Sequence, residues 1–376
     1  MRLNPFVEQA PTYPLSRVAS AREAARARGI EPVDLSLGQP SDPIAPFLAA
    51  ALVEAIATTR FDEYPASAGL PRLREAIAGW VARRYGARLD PDTEIVPTLG
   101  SKEPIATLAR LFAEPGDAIA VGSPGYPVPE RSARFAGLRI AELPLTAAGG
   151  WLPDPDAVPW DDVAIVWLNF PHNPTGAIAP PALLATLAER CRTHGALLAV
   201  DEAYSELWFG EQPPGSALAL EDRTGVIVFN TLSKRSGVPG LRSGFAAGDS
   251  EVVARLKRHR VDVGTTPQLF VQQASIAAWN DEAHVEAARA SYAERRTVLA
   301  GAMERAGLVH AGAEAGMFLW LRVSDGDDVH AFEALADRGV LTVPGSWLGP
   351  TGAGHLRASF TPPLAELKRA AELLAG

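Results

Sequence analysis

The chain has 376 residues, 47% of them hydrophobic and 21% charged, with a net charge of −9. That length allows about two to three domains and a substantial buried core. The acidic balance argues against a general nucleic-acid binder, since phosphate backbones demand basic surfaces. One cysteine, Cys191, excludes an intrachain disulfide and a cysteine-built metal cage and suits a reducing cytoplasm. The opening MRLNPFVEQAPTYPL has no apolar core of signal-peptide length, and no stretch reaches the length of a membrane span. A cytoplasmic protein without membrane or nucleic-acid partners is expected.

A proline-rich arm leads into SRVASAREAARARG, a helix that starts near a serine cap and stops at Gly29. VDLSLGQPSDP reads as a short strand and a turn, where Gly38 lets backbone approach a ligand closely. A helix follows around Phe47 to Thr58. Tyr64 precedes a Pro- and Gly-containing loop that can present its hydroxyl outward. Leu70, Leu73, Ile77, Trp80 and Val81 then recur at helical spacing and belong to the core. IVPTLGSKEPIATLARLF reads strand, turn, helix, and the free amides at that helix start make Gly100, Ser101 and Lys102 a candidate phosphate cradle.

From Asp117 strands and helices alternate: AIAVG, the loop SPGYPVP, a helix to Phe135, RIAELPL, VAIVWLN, the loop FPHNPTG, a helix ended by Gly195, and ALLAVDEAY. Such alternation predicts an α/β fold with a mostly parallel sheet covered on both faces. Ligands in such sheets sit beyond the carboxyl ends of the strands. Asn173, Asp201 and Lys234 each come just after an apolar run, so all three are expected at one edge. An aspartate after ALLAV needs a partner, and a protonated pyridine nitrogen is one. Asn173 and Tyr204 offer hydrogen bonds to a ring oxygen, and Tyr126 offers a flat ring to stack on.

The stretch VIVFNTLSKRSGVPGLRSGF, from Val226 to Phe245, organises the rest. Lysine occurs only at 102, 234, 257 and 368, the remainder of the 35 basic residues being arginine. Arginine cannot lose its proton in a protein, whereas a lysine withdrawn from water can, and only a neutral amine attacks a carbonyl carbon. Lys234 is therefore a candidate Schiff-base former. With Thr231 and Ser233 hydroxyls beside it and the Arg242 guanidinium beyond, it points to a phosphorylated aldehyde, pyridoxal phosphate.

After Arg242 a helix containing RLKRHR is expected, with Lys257 solvated, then a long helical stretch from about Gln268 to Gly307. The remainder, with MFLWLRV, a helix near Val329 to Asp337, VLTVPGSWLG, HLRASF and a terminal helix with a solvated Lys368, reads as a small α+β unit. Arg357 in an otherwise apolar strand needs a carboxylate, either a substrate's or an internal one.

Gly-Gln-Pro at 38, Gly-Ser-Lys-Glu at 100, Pro-Gly-Tyr-Pro at 124, Asn-Pro-Thr-Gly at 173, Asp201 with Tyr204, Ser-Lys at 233 with Arg242, and Arg357 come in the order of the class I pyridoxal-phosphate aminotransferases, which the chain resembles from about Gly38 to Phe360. The resemblance implies fold type I: a large doubly wound, seven-stranded domain and a smaller α+β domain made from both chain ends. It is drawn as an arm and part of the small domain at 1–45, a cofactor-binding domain at 46–280 and the small domain at 281–376.

It implies that Lys234 forms the Schiff base, Asp201 pairs with the pyridine nitrogen, Asn173 and Tyr204 contact the ring oxygen, and Tyr126 stacks on the ring. Ser101, Lys102, Thr231 and Arg242 hold the phosphate, with Tyr64 arriving from a second subunit of a homodimer, and Ser233 belongs to the cofactor-binding set. Gly38, Asn173 and Arg357 bind the substrate carboxylate, and no metal takes part.

Within the family the stretches TLSKRSGVPGLRSGFAAGD and ASIAAWNDEAHV most resemble N-succinyldiaminopimelate aminotransferases of bacterial lysine biosynthesis. The expected reaction is amino transfer between N-succinyl-LL-2,6-diaminopimelate and 2-oxoglutarate. LL-diaminopimelate, aspartate or an aromatic amino acid are alternative donors, and a carbon–sulfur lyase is an alternative reaction. A nicotinamide dehydrogenase is disfavoured because no strand runs into a Gly-x-Gly-x-x-Gly turn.

Overall fold

The computed structural model describes Pro5 and residues 16–375, so the expected proline-rich arm lies largely outside the described residues. The strands are β1 (Val33–Asp34), β2 (Ile95–Thr98), β3 (Ala118–Ser123), β4 (Arg139–Pro144), β5 (Val163–Asn169), β6 (Leu197–Asp201), β7 (Val226–Thr231), β8 (Gly244–Gly248), β9 (Val309–His310), β10 (Phe318–Arg322), β11 (Val340–Leu341), β12 (Val343–Pro344) and β13 (His355–Ser359).

Seven of them form one sheet in the order β2-β8-β7-β6-β5-β3-β4. All neighbours are parallel except where β8 runs against β7 and β2. Near-continuous apolar strands are what a sheet covered on both faces requires. The pleat sends alternate side chains to opposite faces. In β7, Val226 and Val228 enter one buried cluster while Ile227 and Phe229 enter another. In β6, Leu198 and Val200 divide from Leu197 and Ala199 in the same way. Both faces are therefore core.

A second sheet, β12-β13-β10-β9, is antiparallel, and β1 pairs with β11 in parallel, Val33 opposite Val340. The early and late parts of the chain meet through that pairing.

Several expectations are corrected. The segment after Arg242 is not helical at once: the small-residue run GFAAG forms β8, paired on both sides, and lacks the side-chain bulk by which a strand is read from sequence. The long helix is two, Leu269–Asn280 and Ala283–Arg305. Asp281 between them is extended, and its Oδ1 accepts the backbone N–H of His284 at 3.0 Å, starting the second helix. Leu70 is only half-buried because the helix begins after it, at Pro71. Lys257 is not simply solvated, for its amine donates to the Asp92 carbonyl at 2.6 Å.

The aromatic cluster behind Lys234 fixes three elements together. Trp80, on helix Pro71–Tyr85, lies 4.8 Å from Trp279 and 6.0 Å from Phe245 of β8, ring centre to ring centre. Arg235 is buried over Trp80 and Trp279 at 5.7 and 5.1 Å and donates to the Ala278 carbonyl at 2.7 Å and to Glu282 Oε2 at 2.7 Å. Ring faces, a carbonyl and a carboxylate offset part of the cost of burying this cation, whose Nε makes no hydrogen bond. The one-turn helix Leu232–Arg235 is thus clamped from behind, with Lys234 on its other side.

Replacing Trp80 by Ala should remove the hub of this cluster and cost about 3–5 kcal/mol of unfolding free energy. Guanidinium denaturation followed by intrinsic fluorescence and circular dichroism measures it. A loss below about 1 kcal/mol would show that the cluster does not hold the turn.

Candidate active site

Of the fourteen residues singled out from the sequence, twelve line one cavity of about 240 Å³, Gly38, Ser101, Lys102, Tyr126, Asn173, Asp201, Tyr204, Thr231, Ser233, Lys234, Arg242 and Arg357, and Gly100 is not among them. Tyr64 does not line it either; its side chain is fully exposed. The cavity lies at the carboxyl ends of β5, β6 and β7, with β13 and the loop after β1 closing the other side.

Lys234 projects from the clamped turn, and its Nζ donates to the Gly38 carbonyl. Its ammonium sits 5.9 Å from the centre of the Tyr204 ring. Removal from water lowers its pKa to about 8, helped by the Arg357 and Arg242 guanidinium groups and opposed by Asp201. Gly38 is needed where it stands, because a Cβ there would lie 2.4 Å from Cζ of Phe318.

Asp201 ends β6 and is buried. Burial raises its pKa to about 7, against the Ala203 backbone N–H, donated to Oδ1 at 3.1 Å, and against Lys234. A carboxylate so placed is short of a positive partner and would gain most from a cationic nitrogen in the cavity.

Asn169, which sequence reasoning passed over, joins two of the predicted groups. Its Nδ2 donates to the Asp201 carbonyl at 2.8 Å, and its Oδ1 accepts the Asn173 backbone N–H at 2.9 Å. The available signal was an asparagine closing the apolar strand VAIVWLN. Arg357, on β13, donates from Nη1 to Asn173 Oδ1 at 3.0 Å and from Nη2 to the Ser36 carbonyl at 2.7 Å. Its guanidinium lies 4.3 Å from the centre of the Phe318 ring. Ser36 and Phe318 were also missed, because neither residue type signals a site.

The anion-holding side assembles from two loops. Thr231 caps the turn carrying Lys234, its Oγ1 accepting the Ser233 N–H at 3.1 Å and donating to Ser233 Oγ at 2.9 Å. Arg242 adopts a left-handed φ of 52° and donates to the Leu99 carbonyl at 2.8 Å and to the Pro239 carbonyl at 3.1 Å. That brings the guanidinium against Gly100, whose φ of +74° and lack of a Cβ admit it. Ser101 and the start of helix Lys102–Phe112 follow, both lining the same space, where a helix start offers free amides.

This donor set fits pyridoxal phosphate: an amine of lowered pKa, a buried carboxylate lacking a cation, a phosphate-binding array of hydroxyls, amides and guanidinium, and ring-facing groups between them. Among the described residues no group of three His, Cys, Asp or Glu side chains is placed to hold a metal ion.

Residues 30–374 match the family described as aminotransferase class I and II. An LL-diaminopimelate aminotransferase of Nitratidesulfovibrio vulgaris is 33% identical, covering 97% of this chain and 96% of that one. An aminotransferase crystal structure from Neisseria meningitidis superposes with a TM-score of 0.92 at 31% identity, covering 99% of both chains. A probable N-succinyldiaminopimelate aminotransferase from Thermus thermophilus superposes with a TM-score of 0.89 at 33% identity, covering 96% of this chain and 98% of that one. The chain belongs to the class I and II aminotransferases and is a pyridoxal-phosphate-dependent transaminase.

Proposed function

We propose that the enzyme moves an amino group between LL-diaminopimelate and 2-oxoglutarate by a ping-pong mechanism. The observation that carries the chemistry is a single cavity holding the Lys234 amine, the Asp201 carboxylate and the Arg357 guanidinium. The donor reading is supported by relatives named LL-diaminopimelate aminotransferase that match nearly the whole chain at 33% and 34% identity. N-succinyl-LL-diaminopimelate is the second reading, favoured by the Thermus neighbour at 33% identity and by the sequence around Lys234.

Pyridoxal phosphate, when bound, supplies an aldehyde that captures amines and a pyridine ring that takes up the electron pair released at the substrate α-carbon. Ser101, Lys102, Thr231, Ser233 and Arg242 would hold its phosphate, Asn173 and Tyr204 its ring oxygen, and Tyr126 a ring face. Asp201 would keep a proton on the ring nitrogen, the charge its burial calls for. Arg357, with Asn173 and the Gly38 backbone, would grip the substrate carboxylate and fix the α-carbon beside Lys234. Nζ of Lys234, beside that carbon, would take up and give back the proton exchanged there; its lowered pKa leaves a substantial neutral fraction near pH 8.

We also propose a homodimer with shared sites, in the cytoplasm. Tyr64 stands fully exposed, outside its own chain's cavity, near a face where Val53, Ile56 and Phe61 are 69, 46 and 68% exposed. An apolar surface of that kind calls for a partner. No helix among the described residues is long and apolar enough to cross a membrane.

Incubated with 2-oxoglutarate, the purified enzyme should consume LL-diaminopimelate faster than its N-succinyl derivative, aspartate or phenylalanine. Lys234→Ala should lower turnover by at least about 10²–10⁴-fold. Preference for the succinylated donor would select the second reading, and an active Lys234→Ala enzyme would remove the mechanism.

The apo chain should capture pyridoxal phosphate at a rate that rises with pH to a plateau, with its midpoint near pH 8, because only the neutral Lys234 amine reacts. Stopped-flow absorbance at constant ionic strength tests this; a midpoint near 10.5, the ordinary lysine value, would mean that the amine is fully hydrated.

Sedimentation equilibrium should give a dimer, and mixing Lys234→Ala with Tyr64→Ala chains should restore activity above that of either alone. A monomeric active enzyme would exclude the shared site.

A further inference from the structure

Beyond Tyr126 lies a second cavity of about 290 Å³ that none of the groups assigned above, apart from Tyr126 itself, explains. Tyr126, Pro127 and Leu348 line both cavities, so the two adjoin across a shared wall.

The second cavity carries charges of both signs, Arg17 and Arg131 with Glu130 and Glu142. Arg17 and Glu142 are not paired with each other among the described residues. Glu130 receives the Arg134 guanidinium at 2.8 Å on its own helix. Glu142, exposed on β4, enters no ion pair among the described residues. Arg17 likewise enters none among the described residues; its guanidinium lies 5.2 Å from the centre of the Trp347 ring. Trp347 is in turn braced by Phe332 at 5.3 Å. A guanidinium laid on a ring keeps its in-plane N–H donors for a carboxylate, which is the geometry in which arginine binds one bidentately.

We propose that this cavity is a distal subsite for the far end of a two-ended amino acid, Arg17 taking a carboxylate and Glu142 an ammonium. The assignment rests on the diaminopimelate reading and sharpens it. A cavity of one sign would suit a dicarboxylate, whereas this one matches a ligand that bears both charges. Succinylation converts the distal ammonium to a neutral amide and adds a carboxylate, leaving Glu142 facing like charge. The same groups that accept the free diamino acid therefore reject its acylated form, by attraction and repulsion together.

The test uses holoenzyme and the half-reaction with donor alone, followed through the spectrum of the bound cofactor. LL-diaminopimelate is compared with lysine, which lacks the distal carboxylate, and with 2-aminopimelate, which lacks the distal ammonium. Each rate constant is divided by that for glutamate in the same preparation, so that any loss of folded protein cancels. Arg17→Ala should lower the ratios for LL-diaminopimelate and 2-aminopimelate by about tenfold or more and leave that for lysine unchanged. Glu142→Gln should lower those for LL-diaminopimelate and lysine and spare 2-aminopimelate. Ratios that stay the same in both variants, or that fall equally for all three donors, overturn the subsite. A wild-type enzyme that handles LL-diaminopimelate no better than glutamate overturns the substrate reading instead; the subsite is then judged by the opposite responses of lysine and 2-aminopimelate.

Discussion

The register of three parallel strands is the constraint on which the site depends. Asn169 lies opposite Asp201 across β5 and β6, and Asp201 lies opposite Phe229 across β6 and β7. The backbone ladder therefore sets where the carboxylate ends, and the turn after β7 sets where the Lys234 amine begins. A shift of one residue in β6 would exchange the two faces of that strand. It would bring Leu197 and Ala199 into the core now filled by Leu198 and Val200 and turn Asp201 away from the cavity. Packing on both faces of the sheet is thus what enforces the placement of a polar group at its rim.

Electrostatics act on that placement in opposite senses. Burial disfavours whichever form is charged, so the same cavity lowers the Lys234 amine to about 8 and raises the Asp201 carboxyl to about 7. The pair does not collapse into a simple ion pair, because Lys234 also feels Arg357 and Arg242 and donates to the Gly38 carbonyl. An amine that can lose its proton and a carboxylate that lacks a cation leave a gap between them of matched chemistry. Arg235, next in the chain, is held differently: both of its terminal nitrogens donate to the protein and two ring faces flank it, so it serves the fold.

Much of this was legible in the sequence where a residue type was costly to explain otherwise. Lys234 stood out in a chain with almost no lysine, Asp201 by following ALLAV, and Arg357 by interrupting an apolar strand. The structure gathers all three into one cavity. What stayed hidden was carried by ordinary residues. Asn169 bridges Asp201 and Asn173 through one main-chain carbonyl and one main-chain N–H, and neither contact leaves a pattern in sequence. GFAAG became β8 because both neighbouring strands offered it hydrogen bonds, a long-range cause that local propensity does not register. The break at Asp281 rests on a side chain accepting a backbone N–H three residues on, which periodicity alone passes over.

The site is held at a cost that only its ligand offsets. A carboxyl whose pKa rises from 3.8 unfolded to about 7 folded binds its proton more tightly in the native state. Its contribution to stability is present below about pH 4 and lost as pH rises through about 7. An amine whose pKa falls from 10.5 to about 8 is the mirror case: its contribution is present above 10.5 and lost as pH falls through about 8. Near neutral pH both groups therefore oppose folding when nothing lies between them. A ligand that brought a positive nitrogen to Asp201 and bonded the Lys234 nitrogen covalently would relieve both penalties at once. The free energy that burial costs these two groups would then favour the cofactor, and the supports, Arg235 behind Lys234 and Asn169 beside Asp201, would serve the site as much as the fold.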